Sequence, residues 1–153
     1  MAGEIKKPIS ESRLAFFVIS VIMVILAAVL PFAYRIDIGP GPDSIRAVLW
    51  DYIESEWFSG FRLWNPLDTV PYTFLRFVFT LYLARFCVGS ATAKKVMLTG
   101  LLAELQPIIV SAPQVYLIDW AGDPLVPLYM PIPIMFTLGI LLVLFLKHRH
   151  KDD

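Results

Sequence analysis

The sequence predicts an all-α integral membrane protein, a four-helix bundle with both termini in the cytoplasm. Three observations lead to this prediction. Apolar side chains make up 58% of the 153 residues and the mean hydropathy is +0.68, well above the values of soluble domains. The apolar residues fall in four blocks, each near the length of about 20 residues that a helix needs to cross a bilayer. Basic residues flank these blocks on one predicted side of the membrane.

The first predicted span, residues 14–34, is the most clearly apolar of the four, and Ser20 is its one polar residue. Lys6, Lys7 and Arg13 precede it, as the basic region of a signal peptide would. The apolar run is, however, longer than the usual ~7–15 residues of a signal peptide, and no small-residue cleavage site follows. We therefore expect an uncleaved membrane anchor.

The other predicted spans are residues 70–88, 95–116 and 128–147. Arg76 and Arg85 interrupt the first of these, and Glu104 lies near the middle of the next. The last begins with the proline-rich stretch PLVPLYMPIP. Because proline fits a helix only in its first turn, we expect regular helix from about Met130, with the prolines packed at the interface or against protein.

The distribution of lysine and arginine predicts the orientation. The N-terminal segment, the connection between the second and third spans and the C-terminal tail are basic, whereas the opposite connections are rich in aspartate and glutamate. Cytoplasmic segments carry the excess of basic residues in membrane proteins. Residues 1–153 are therefore predicted to form one multi-pass membrane domain with its N and C termini inside.

The first outer connection is about 35 residues long, which is too long for a simple turn. Within it, residues 43–58 show helical spacing of apolar residues after a possible N-cap at Asp43 and predict an amphipathic interfacial helix. Asp51 and its acidic neighbours are interpreted as solvated. Aromatic residues here form a headgroup-level belt or, alternatively, a wall for a quinone, a lipid or a partner helix. The predicted interfacial aromatic anchors are Trp50, Trp57, Trp64 and Trp120.

Polar side chains inside the predicted spans form the candidate site, because an ionisable group in a membrane is costly and calls for a partner. One face of the third span collects Gly100, Glu104, Pro107, Ser111 and Gln114. We predict a direct or water-bridged pair between Arg76 and Glu104. Alternatively, Glu104 is protonated and bonded to a hydroxyl or to Gln106, while Arg76 reaches the acidic outer loop. The candidate site comprises Arg76, Thr80, Glu104, Gln106, Ser111 and Gln114.

Catalytic and metal-binding motifs are absent from the sequence. It contains no HExxH, GxSxG, Walker-type loop or CxxC, and both histidines lie in the tail KHRHKDD. The single Cys87 excludes an intrachain disulfide and a tetrathiolate metal site. We therefore predict no catalytic residues, no metal and no cofactor, and favour a protein that is not an enzyme.

The function class that these features favour is a small accessory, assembly or scaffold subunit that acts through helix–helix and lipid contacts. Its expected partners are the lipid bilayer and another membrane subunit or a second copy of the chain, and no nucleic acid. One alternative is a homo-oligomeric transporter or channel that uses Arg76 and Glu104; another is a membrane enzyme acting on a lipid or quinone. The pair itself could fix helix packing, take part in transport, or meet a counter-ion from a partner subunit.

Overall fold

A computed structural model describes residues 9–37, 42–63, 65–118 and 127–149. These residues form four helices and a five-stranded sheet. The helices are α1 (Ile9–Val29), α2 (Pro66–Cys87), α3 (Ala93–Ile118) and α4 (Ile134–Arg149). The strands are β1 (Ala33–Asp37), β2 (Ser44–Arg46), β3 (Trp50–Glu54), β4 (Ser59–Leu63) and β5 (Pro127–Pro131).

The prediction of an all-α four-helix bundle is wrong, because the chain between α1 and α2 forms β1 to β4. The amphipathic interfacial helix predicted at residues 43–58 is replaced by β2, β3 and the turns beside them. β2 shows the two-residue alternation of a strand, because Ser44 and Arg46 are buried whereas Ile45 between them is exposed. The apolar residues predicted to share one helical face are divided between the two faces of the sheet, because Ile45 pairs with Tyr52 whereas Ile53 pairs with Ser44.

The sheet has the strand order β4-β3-β2-β1-β5, and the strand pairs are antiparallel. The proline-rich lead-in to the fourth block is its edge strand, β5, in which Pro127 pairs with Asp37 and Pro131 with Ala33. An edge strand tolerates proline because one of its sides makes no ladder hydrogen bonds. Regular helix consequently begins only at Ile134.

The sheet lies at one end of the helices. The chain passes directly from α1 into β1, from β4 into α2 and from β5 into α4, and β5 packs against α3. The N-terminal end of α1, the α2–α3 connection and the C-terminal end of α4 therefore lie at the opposite end. This places the junction between helices and sheet at the C-terminal end of α1 and the N-terminal ends of α2 and α4.

The helices pack closely around Phe79 of α2, which is 1% exposed. A Cβ added to Gly100 of α3 would lie 2.8 Å from the Phe79 ring, and one added to Gly139 of α4 would lie 2.5 Å from it. Both separations are shorter than van der Waals contact, so the two glycines provide the space for the ring. Phe79 thus joins α2, α3 and α4.

Among the described residues, one helical stretch, Ala93–Pro113, is long and apolar enough to cross a membrane. Phe16–Val29 and Ile134–Leu146 are apolar but shorter. The predicted four-span helix bundle is therefore not supported. Two arginines, Arg76 and Arg85, lower the apolar content of α2, and α4 is only 16 residues long because the residues before it belong to a strand.

Candidate functional site

Arg76 caps the C-terminal end of α1. Its guanidinium group, on a side chain that is 3% exposed, donates to the carbonyl of Leu30 at 3.1 Å and to that of Pro31 at 3.3 Å. The indole Nε1 of Trp50 donates to the Val29 carbonyl at 2.8 Å. The last carbonyls of a helix have no partners within it and carry partial negative charge. Arg76 therefore supplies both donors and a compensating positive charge.

Glu104 caps the N-terminal end of α4. Its Oε1 accepts a hydrogen bond of 3.2 Å from the backbone amide of Phe136, in the first turn of that helix. The first amides of a helix lack partners within it and favour a negative charge. The carboxylate therefore has the same role at the start of α4 that the guanidinium of Arg76 has at the end of α1.

Arg76 and Glu104 form no direct ion pair with each other within the described part of the chain. Each uses its side chain to bind the backbone at a helix end. A water-bridged contact between them stays a prediction. The Nε atom of Arg76 is buried and has no hydrogen-bond partner within the described part of the chain.

Gln106 of α3 inserts its amide group into the backbone of α2. Its Oε1 accepts from the Leu75 amide at 2.8 Å, and its Nε2 donates to the Pro71 carbonyl at 2.7 Å. In a regular helix these two backbone groups would bond to each other. A side chain inserted between them widens that turn and ties the two helices together.

Ser111 of α3 connects this helix to the sheet. Its hydroxyl donates to the Pro107 carbonyl at 2.8 Å and accepts from the backbone amide of Tyr129, in β5, at 3.1 Å. The hydroxyl of Thr80 donates to the Phe77 carbonyl of its own helix at 2.7 Å. Gln114 lies in α3, and its side chain is outside the described residues.

Gln106 and Ser111 give a paired prediction. Replacing Ser111 with alanine is expected to lower the free energy of unfolding by about 1–3 kcal/mol, because the Tyr129 amide would be left buried and without a partner. Replacing Gln106 with leucine is expected to cost about 1 kcal/mol or less, because the Leu75 amide and the Pro71 carbonyl can then bond to each other. Thermal unfolding of the purified variants in detergent measures both values. A larger loss for the glutamine variant would contradict this account.

The predicted aromatic anchors have different surroundings. Trp50 is half-buried against the end of α1, whereas Trp57, in the turn between β3 and β4, is 93% exposed. Trp64 and Trp120 lie outside the described residues. Trp50 therefore has a structural contact, whereas the role of Trp57 as an interfacial anchor stays a prediction.

A charged cluster on the sheet was missed by the sequence analysis. Asp51 of β3 faces Arg46 of β2 and Arg62 of β4 in register. Its carboxylate lies 3.5 Å from Arg46 Nη2 and 2.9 Å from Arg62 Nη2, and Arg62 Nε adds a second bond at 3.3 Å. Arg46 also donates to the hydroxyl of Tyr129. Asp51 is 0% exposed, so its interpretation as solvated is wrong. The strand alternation could have indicated this burial if the pairing had been known.

The other face of the sheet carries a tyrosine with a perturbed pKa. The hydroxyl of Tyr34 donates to Asp43 Oδ2 at 3.0 Å. This hydrogen bond, followed by desolvation and by the negative charges of Asp43 and Glu54, raises the Tyr34 pKa above its usual value of 10.0. A cavity of about 240 Å³ adjoins the pair and is lined by Tyr34, Asp43, Ser44, Ile45, Tyr52 and Glu54.

We expect replacement of Asp43 with alanine to lower the pKa of Tyr34 towards 10.0, since the hydrogen bond is the main cause of the shift. In the native protein this proton is held more tightly than in the unfolded chain. Its stabilising effect is therefore complete below the unfolded pKa and is lost as the pH rises through the raised pKa. NMR titration of the tyrosine ring carbons, assigned with a Tyr34→Phe variant, measures the change. Asp68→Ala is the control, and an equal shift there would contradict the assignment.

The chemistry that this arrangement supports is structural. Arg76 and Glu104 bind helix ends, and Gln106 and Ser111 join neighbouring elements. Within residues 9–37, 42–63, 65–118 and 127–149, no group of three histidine, cysteine or acidic residues is placed to hold a metal ion. Comparisons of the chain with protein-family models, with curated proteins and with solved structures find no match.

Proposed function

We propose that this protein is a membrane-embedded scaffold or accessory subunit that binds another membrane subunit or a second copy of itself. One observation above all supports the proposal: the helices expose their large apolar side chains and bury polar ones. Phe17, Ile25 and Leu141 are 64%, 55% and 58% exposed, whereas Arg76 and Ser111 are 3% and 0% exposed. In water this distribution is unfavourable by about 25 cal/mol for each Å² of exposed apolar surface, whereas lipid favours it.

The proposal includes the arrangement in the membrane. α3, with 26 residues, is about 39 Å long, enough to cross a hydrocarbon core of about 30 Å. Arg85, Lys94 and Lys95 lie at the helix ends that are remote from the sheet. Because cytoplasmic segments carry the excess of basic residues, we propose that these helix ends and both termini of a multi-pass chain lie in the cytoplasm. The sheet would then lie on the outer side of the membrane.

α1 is the proposed contact surface for the partner. It packs against α2 and leaves a row of apolar side chains exposed along the rest of its length. The residues proposed for this contact lie in the half of α1 nearer the sheet and are Val21, Ile22, Val24, Ile25 and Val29. The transport alternative has less support, because the buried charges of Arg76 and Glu104 bind helix ends.

Two measurements test this proposal. Alkaline carbonate washing of membranes should leave the protein in the pellet, and its release into the supernatant would contradict membrane embedding. Purification in mild detergent should yield a complex larger than the single chain. Substituting alanine for Ile22 and Ile25 should weaken that complex, because both residues lie on the exposed surface of α1.

The matched control substitutes alanine for Leu138 and Leu141, which are equally apolar and exposed but lie on α4. The complex should survive this change. A chain that elutes alone, or a complex that is insensitive to the α1 substitutions, would contradict the proposed partner surface.

A further inference from the structure

A cavity of about 440 Å³ lies between α1 and the C-terminal end of α2, away from the sheet. Its lining residues are Arg13, Phe16, Arg85, Val88 and Ser90. The volume is within the range of about 300–1,000 Å³ that is usual for small-molecule sites. Among the described residues, the lining combines two guanidinium groups and a serine hydroxyl with apolar side chains, and it contains no acidic residue.

The cavity wall on α2 is built by a Schellman motif. The Ser90 amide donates to the Arg85 carbonyl at 2.8 Å, and the Gly89 amide donates to the Phe86 carbonyl at 2.9 Å. Gly89 has a φ of +76°, which only glycine adopts readily. The Ser90 hydroxyl adds a third bond, to the Arg85 carbonyl, at 3.0 Å. The turn is therefore fixed, and it holds the backbone of Arg85 beside the cavity.

Both arginines at the cavity are available to bind an anion. Their side chains are exposed, and neither makes an ion pair with an acidic residue within the described part of the chain. Two like charges at one cavity repel each other, and a bound anion would relieve that repulsion. Guanidinium groups bind phosphate oxygens in a bidentate manner, with charge-assisted hydrogen bonds. A phosphate group is therefore the chemistry that this pair of arginines fits.

Apolar surface continues from the cavity along α1. Phe16 lines the cavity itself, while Leu14 and Phe17, in the same turn of the helix, are 65% and 64% exposed. A ligand with a charged head and an apolar tail would match both parts. We propose that Arg13 and Arg85 bind the phosphate of an anionic phospholipid whose acyl chains lie along α1. The inference rests on the proposed membrane embedding of the helices.

Lipid titration of the full-length protein, followed by native mass spectrometry, tests this site. Phosphatidylglycerol is expected to bind more tightly than phosphatidylcholine. The double variant Arg13→Gln/Arg85→Gln is expected to bind phosphatidylglycerol roughly 30-fold more weakly. The control Lys94→Gln/Lys95→Gln removes the same charge from the same end of the helices, outside the cavity lining. It is expected to bind within about threefold of the unmodified chain, since charge near the surface acts weakly at a distance.

An equal loss in the lysine variant, or no preference for phosphatidylglycerol in the unmodified chain, would overturn the site. Soluble glycerol 3-phosphate is expected not to displace the lipid; displacement at equal concentration would assign the cavity to a soluble phosphate compound and overturn the lipid assignment. Carbonate washing separates the two proposals. Protein that stays in the membrane without lipid preference overturns this inference alone, whereas released protein overturns the membrane embedding.

Discussion

Replacing Arg76 with methionine is expected to lower the free energy of unfolding by about 2–6 kcal/mol, because it removes the donor to two backbone carbonyls. The guanidinium group is buried and provides the hydrogen bonds to the Leu30 and Pro31 carbonyls. Without it, these half-buried acceptors lose their donor, each at a cost of about 1–3 kcal/mol. Glu104 would also lose its favourable electrostatic interaction with Arg76. Chemical unfolding in detergent, followed by circular dichroism, measures the loss.

Arg85→Met is the matched control for this variant, because it makes the same change on the same helix at an exposed side chain. Its effect is expected to stay within about 0.5 kcal/mol. A lysine at position 76 should recover part of the loss, since it keeps the charge but lacks the planar fork that reaches two carbonyls. Equal stabilities of the Arg76 and Arg85 variants would show that the cap on α1 contributes little.

Replacing Asp51 with leucine is expected to cost a similar amount, about 3–5 kcal/mol, because it leaves the buried Arg46 without its carboxylate. Arg46 is 3% exposed and Asp51 0% exposed, so water cannot replace the lost partner. The Arg62 side chain is 48% exposed, and its replacement with glutamine is expected to cost about 1 kcal/mol or less because solvent screens its charge. Thermal unfolding of the variants gives the ranking.

A double variant separates charge from packing at this cluster. Leucine at both Arg46 and Asp51 removes the two buried charges together, so it is expected to be more stable than Asp51→Leu alone. Glu54→Gln, at the exposed end of the same strand, is the control and should leave stability nearly unchanged. If the double variant is less stable than the single one, the arginine stabilises the sheet through contacts other than its charge.

The positions of the helices were largely accessible from the sequence. Residues 70–88 and 95–116, predicted as spans, overlap α2 and α3. These helices could be predicted because a helix makes its backbone hydrogen bonds within one segment, and the apolar content of that segment is read directly from the sequence. The ends were less accessible: the first predicted span extends to residue 34, but α1 ends at Val29 because the next residues pair with other strands.

The candidate site shows the same division. Glu104, Arg76 and Gln106 could be singled out because polar side chains are conspicuous among apolar ones. Their partners could not be found from sequence, since these are backbone atoms: the Phe136 amide and the Leu30 carbonyl become available only where a helix begins or ends in space. Helical periodicity predicts which residues share a face, and it does not predict which backbone groups lie opposite.

By itself, the sequence determined that the chain is strongly apolar, that its apolar blocks favour helices and that its buried charges need partners. The sheet was decided only by the tertiary structure. β1 forms hydrogen bonds with β2, which is near in sequence, and with β5, which follows two helices later. A strand is stabilised by the strands beside it, so the sequence pattern within one strand is a weak predictor of its structure. Asp51 shows the consequence, because it is buried only when β2 and β4 bring Arg46 and Arg62 to either side of it.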